Sequence, residues 1–256
     1  SDDAVSIGHV KGAHNLTISA GSGNITLSSL GVEATKLANL TLTTTGTKTA
    51  SGTWHIDNAF STGDLVLGGA LTAITSNDNM TFGAITGNYD LSLTSGTGTI
   101  TLANIGTNSV DVGNLALSSS AAVSASGNWY LGNITGDAAI TSTGALTIDS
   151  GSVDFGNVIN GGNLSVTSTS SIDTGTITGS GFNVTLASGS NGNITVGAVG
   201  TDSAAVGTVS MTPNGTGVIS TAADWYANQT TLGAITPSGA LSITTSNDNI
   251  TLGTLL

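Results

Sequence analysis

Asn15-Leu16-Thr17-Ile18 returns along the chain as Asn39-Leu40-Thr41-Leu42, Asp90-Leu91-Ser92-Leu93, Asn114-Leu115-Ala116-Leu117, Asn163-Leu164-Ser165-Val166 and Asn183-Val184-Thr185-Leu186. Close variants begin at Ala70, Ala145, Thr208 and Ala240. Their apolar anchors lie 24, 31, 20, 24, 31, 18, 20, 25 and 32 residues apart. A unit of 24, 31 and 20 residues therefore repeats, with one additional short turn near Leu164. Self-similarity at such periods is the signature of a solenoid or an array, in which each repeat buries its apolar face only against its neighbours.

The phase of this 75-residue unit is visible elsewhere. Asn24-Ile25-Thr26-Leu27 runs through to Trp54, Thr99-Ile100-Thr101-Leu102 to Trp129, and Asn193-Ile194-Thr195-Val196 to Trp225. Ala70 to Asn79 likewise reappears as Ala240 to Asn249. Within each tetrad apolar and polar residues alternate, which places Ile25 and Leu27 on one face of a strand and Thr26 on the other. Gly, Asn, Asp and Ser bound these short runs and supply the turns. No segment keeps a helical period, and Gly and β-branched residues are poor helix formers.

Short strands at close spacing also occur in stacked β-sandwiches. A coil of 18–25 residues is too short for a sandwich, however, and an aromatic content of 4% is low for a sandwich core of this size. The pattern predicts an all-β chain folded as a parallel β-helix (β-solenoid), with about ten coils of 18–32 residues and residues 1–256 forming one continuous segment. Coils stacked at about 4.8 Å would make a rod on the order of 50 Å long. The longest coils carry an excess that must leave the cylinder as a loop or build an extra wall. We place it at Gly46–Ile56, Ala121–Leu131 and Pro213–Ala227, and expect Pro213 and Pro237 in loops.

Composition narrows the function. Only 7% of residues are charged, with 15 acidic side chains, three Lys and no Arg, for a net charge of −12. Binding nucleic acid requires Lys and Arg to displace phosphate counterions, and anionic membranes attract basic segments, so neither partner is expected. No apolar run approaches the roughly 20 residues of a membrane helix. There is no Cys, hence no disulfide framework. The low charge and the abundance of Ser and Thr point to a secreted bacterial surface protein. No signal peptide is visible at Ser1, and the chain starts and stops inside the repeat rhythm, as expected of a mature or excised piece of a longer chain or fibre.

Gly63-Asp64-Leu65-Val66-Leu67-Gly68-Gly69-Ala70-Leu71-Thr72 and Gly192-Asn193-Ile194-Thr195-Val196-Gly197-Ala198-Val199 resemble the repeats of filamentous-haemagglutinin-type bacterial exoproteins and giant adhesins, and the resemblance extends over essentially the entire chain. It implies a right-handed parallel β-helix, export across a bacterial outer membrane, and a role as a long fibre in adhesion or cell–cell contact. It supplies no active site to carry over.

Little in the residues argues for catalysis. A glycosidase would pair two carboxylates, but Asp64, Asp90, Asp137, Asp173 and Asp202 fall at different coil phases and read as turn residues. His9, His14 and His55 accompany no Ser and Asp in a triad arrangement. Calcium, which takes six to eight oxygen ligands, is the one cofactor weighed. Asn77-Asp78-Asn79, Asn247-Asp248-Asn249 and Asp2-Asp3 offer oxygens, but a turn role is the better account of them, and no cofactor is expected.

Eleven Asn residues fit the Asn-x-Ser/Thr acceptor pattern for glycosylation: Asn15, Asn24, Asn39, Asn79, Asn133, Asn163, Asn183, Asn193, Asn214, Asn228 and Asn249. A corner Asn followed by an outward Thr generates the same pattern without any modification. Trp54, Trp129, Tyr130, Trp225 and Tyr226 form a repeated aromatic set, to be read either as packing or as a contact for a sugar or a neighbouring fibre. The leading expectation is a non-enzymatic structural segment of an extracellular fibre or adhesin. Its partners would be neighbouring coils or subunits, or surface glycans. A filament subunit polymerising end to end and a carbohydrate-binding module using the Trp segments are the alternatives.

Overall fold

A computed structural model describes residues 2–246 and 248–256. Every regular element among them is a strand, and the chain is a parallel β-solenoid of about 12 turns. Two compact units can be distinguished, Ser1–Ser124 with Tyr130–Gly132, and Ala125–Trp129 with Asn133–Leu256.

In the first unit three stacks of inward residues define three walls. One runs Val10, Leu30, Trp54, Ala73, Leu93, Leu117. Another runs Leu65, Ile85, Ile105, and the third Phe60, Met80, Ile100. The second unit is built the same way, with Leu146, Leu164, Val184 and Val209 on one wall, Val153, Ile172, Ile194, Ile219 and Ile235 on the next, and Val158, Ile177, Val199, Trp225 and Ile243 on the third. Alternation decides which side chains face inward: Leu91, Leu93 and Ser95 are buried, while the residues between them are only half-buried. Burying each aliphatic side chain contributes about 1.5–3 kcal/mol.

The anchors do not form one column. Leu16 pairs with Leu40, but Leu71 lies on Gly52, with Ala73 on Trp54. Near the C-terminus Ile243 lies on Trp225, whereas Thr230 takes the place above Val209. Stacked partners stand 16 (Ile219 to Ile235) to 26 (Val199 to Trp225) residues apart. A spacing of 31 or 32 is therefore one turn plus part of another. The sequence repeat does not close on a whole number of turns, so its copies move from wall to wall.

This also relocates the excess residues. Lys48–Ile56 and Val123–Thr135 are strands, so the first two segments are wall, not loop; in the third, the strands Val206–Asn214, Ile219–Thr221 and Trp225–Leu232 are joined by short connections. The excursions come earlier in each copy, at 31–37, 106–112 and 200–206. Each is closed by an antiparallel bridge, Val32 to Thr35, Thr107 to Val110, and Thr201 to Ala204. Gly31, Gly106 and Gly200 open them at φ of +65°, +67° and +68°, a region glycine enters without penalty. A Cβ at these positions would lie within 2.4 Å of the His55, Tyr130 or Tyr226 carbonyl oxygen.

The prolines are not in loops. Pro237 ends the strand Ile235–Pro237. Pro213 is next to last in Val206–Asn214 and falls in a register shift between Thr212 and Asn214. A residue without an N–H is tolerated where the ladder does not call on that donor.

Candidate functional site

The three indoles are buried, at 0%, 0% and 1% exposure for Trp54, Trp129 and Trp225. Trp54 stacks between Leu30 and Ala73, and Trp225 between Val199 and Ile243. The Trp54 Nε1–H donates to the Ser28 carbonyl at 2.6 Å, and the Trp225 Nε1–H to the Gly197 carbonyl at 3.1 Å. Trp54 also meets Phe60 edge-on at 6.3 Å, which in turn meets Phe82 at 5.7 Å. Of the two readings of the indoles, packing holds and a contact surface does not: these rings are core, because inward strand positions present them to the interior and each described N–H partner is a backbone carbonyl. Tyr130 and Tyr226 follow in the outward phase and are half-buried.

All eleven Asn of the acceptor pattern are exposed, and many do a defined job. The Oδ1 of Asn24, Asn79, Asn163, Asn183 and Asn193 accepts the backbone N–H of Thr47, Thr99, Asn183, Thr208 and Val218, at 2.8–3.1 Å. Asn39 Nδ2 donates to Asn15 Oδ1 at 2.6 Å. The oxygens of Asn133 and Asn228 accept from the hydroxyls of Ser152 and Ser246. Donor and acceptor are one coil apart in every case. At a corner between walls the strand ladder is interrupted, and a side-chain carbonyl from the coil below satisfies the N–H left over. Asp64 and Asp90 act likewise, accepting the Ala84 and Asn114 N–H at 2.8 and 2.7 Å. Hydroxyls join in at the same corners: half-buried Ser119 Oγ donates to the Gly98 carbonyl of the neighbouring coil at 3.0 Å, and buried Ser95 Oγ donates to that carbonyl within its own coil at 2.6 Å.

Three of the oxygens considered for calcium, on Asp2, Asn77 and Asn79, are engaged in such bonds. Asn77 Oδ1 accepts the Thr97 N–H, and Asp2 Oδ1 the Ser22 N–H. Asn247 lies outside the described residues. Among the described residues no group of three or more His, Asp or Glu side chains is gathered for a metal ion. His9 and His14 are exposed, and His55 is half-buried. Asp154 and Asp173 are register partners on adjacent coils. Desolvation, together with the Asp154 charge, pushes the Asp173 carboxyl above its ordinary pKa.

One feature escaped the sequence reading. A cleft of about 580 Å³ opens in the first unit, lined by Asn24, Thr44–Lys48, Asp64–Val66, Ala84 and Thr86. Lys48 Nζ forms no ion pair or hydrogen bond among the described residues, and it lies 3.6 Å from where a Gly63 Cβ would stand. Val66 and Ala84 contribute apolar lining, and Thr44, Thr45, Thr47, Thr86 and Asp64 contribute polar lining.

The last coil presents a different surface. Ile250, Leu252, Leu255 and Leu256 are 44–68% exposed, whereas Thr230, Leu232 and Ile235 directly beneath are at most 3% exposed. No family model, curated protein or solved structure matches this chain.

Proposed function

We propose that this chain is a non-enzymatic structural segment of a bacterial extracellular fibre or large surface adhesin, of the type that units such as Gly192-Asn193-Ile194-Thr195-Val196 resemble. The observation that carries the reading is where the polar side chains are spent. Asn, Asp, Ser and Thr side chains at successive corners bond the coil above to the coil below, on top of the backbone ladders and the apolar stacks. All three sets of bonds join neighbouring coils, the direction along which a fibre is loaded. Immunogold electron microscopy of the producing cells, using antibody raised to this chain, tests the proposal. Label on surface filaments or the outer face supports it; label confined to the cytoplasm refutes it.

A further inference from the structure

The sequence repeat supplies an internal control for the cleft. Six residues before each Trp stand Lys48, Val123 and Ile219. Val123 and Ile219 are fully buried core residues, and Ile219 stacks on Ile194 just as Lys48 stacks on Ile25. Lys48 thus occupies an aliphatic core position, and in its copy a cleft opens beside it. The second charge of the cleft departs from the repeat as well. The residue preceding the buried aliphatic Leu65, Ile140 or Ile235 is Asp64 in the first copy, but Ala139 and Ala234 in the others. Two substitutions to charge, both facing one opening, are costly in a solenoid with 7% charged residues. A lysine in a core position also forfeits the stacking its aliphatic counterparts provide.

We propose that this cleft is a binding site for a carboxylate-bearing saccharide, such as a uronate, with Lys48 holding the carboxylate. A cleft of about 580 Å³ falls within the roughly 300–1,000 Å³ of small-molecule sites. Asn24, Thr45 and Thr47 in its lining offer hydroxyl and amide partners for ring hydroxyls, Asp64 retains a second oxygen as an acceptor, and Val66 and Ala84 give apolar surface for the C–H face of a sugar ring. One ammonium beside one carboxylate suits a single negative charge flanked by hydroxyls. It does not suit a polyanion, which would also meet the surplus of eight acidic over three basic side chains in this unit. The site is independent of where the protein resides and of whether it polymerises.

Calorimetric and NMR titrations of the full chain with monomeric galacturonate, its methyl ester and a galactose monosulfate test the assignment. We expect saturable binding of the free acid, at least ten-fold weaker binding of the ester, and at least ten-fold weaker binding of the free acid to Lys48→Val. Lys48→Val and Asp64→Ala install the residue types found in the other copies, so both variants fold, and melting curves check that they do. Lys11→Ala, at an exposed lysine, leaves binding unchanged. No saturable binding of the acid, equal affinity in Lys48→Val, or preference for the sulfated saccharide would each overturn the proposal.

Discussion

Replacing Trp54 with Ala probes the packing of the solenoid most sharply. The indole is fully buried, stacked between Leu30 and Ala73, edge-on to Phe60, and bonded through Nε1–H to the Ser28 carbonyl. Truncating a buried Trp to Ala costs about 3–5 kcal/mol through lost transfer energy and the cavity left behind. The Ser28 carbonyl loses its donor at a further cost of about 1 kcal/mol. Coils on both sides are fixed by independent ladders and collapse only partly into the space, so we expect a net loss of about 4 kcal/mol. Trp54→Phe keeps most of the apolar contact and loses the N–H, and should cost about 1–2 kcal/mol. Urea titration followed by far-ultraviolet circular dichroism reads both variants, and the midpoint should fall in the order wild type, Phe, Ala. A loss below about 1 kcal/mol for Trp54→Ala would mean that the ring is peripheral, and the packing argument would fail.

Gly31→Ala forces a Cβ toward the His55 carbonyl oxygen at 2.4 Å in a left-handed backbone, and should cost about 2 kcal/mol or more; an unchanged melting temperature would contradict this. Asn79→Ala removes the acceptor of the Thr99 N–H and should lower stability by about 1 kcal/mol while selectively speeding hydrogen exchange at the Thr99 amide; an unaltered Thr99 exchange rate would refute the corner role. Burial, then Asp154, raises the Asp173 pKa above its ordinary 3.8, so the folded state binds this proton more tightly than the unfolded chain does. The associated stability is full below 3.8 and is lost as pH rises through the raised value. Asp173→Asn should therefore melt above wild type at pH 7 and level with it at pH 3, and a gap of the same size at both pH values would sink the assignment.

The stacked fold was legible because its determinants are local and repeated. Tetrads such as Leu91-Ser92-Leu93 state their own inward face, and spacings near 20 state the turn length. The wall on which each tetrad lands was not legible. That depends on summing corner lengths, and one residue at a Gly-opened excursion such as 31–37 changes the sum. The indoles read ambiguously because a Trp that caps a loop and one that fills a wall have the same neighbours in sequence; only the inward phase shared with Ala50 and Ile56 places Trp54 inside. The Asn corners were readable as turns, but not as acceptors for a coil some 20 residues onward. The cleft was missed although its signal was present. Lys48 stands where the aligned copies carry Val123 and Ile219, a departure that becomes informative only once those positions are known to be core.

Stretching a single chain between its two ends in an optical trap tests most directly the claim that its bonds are arranged to bear load along the stack. Neighbouring coils joined by ladders, apolar stacks and corner side chains should yield in steps of one or a few coils. Partners 16–26 residues apart correspond to roughly 55–90 Å of released chain per coil, and Asn79→Ala should lower the force of the step that includes its coil. Smooth extension without steps, as for a chain lacking coil-to-coil bonds, would contradict the account.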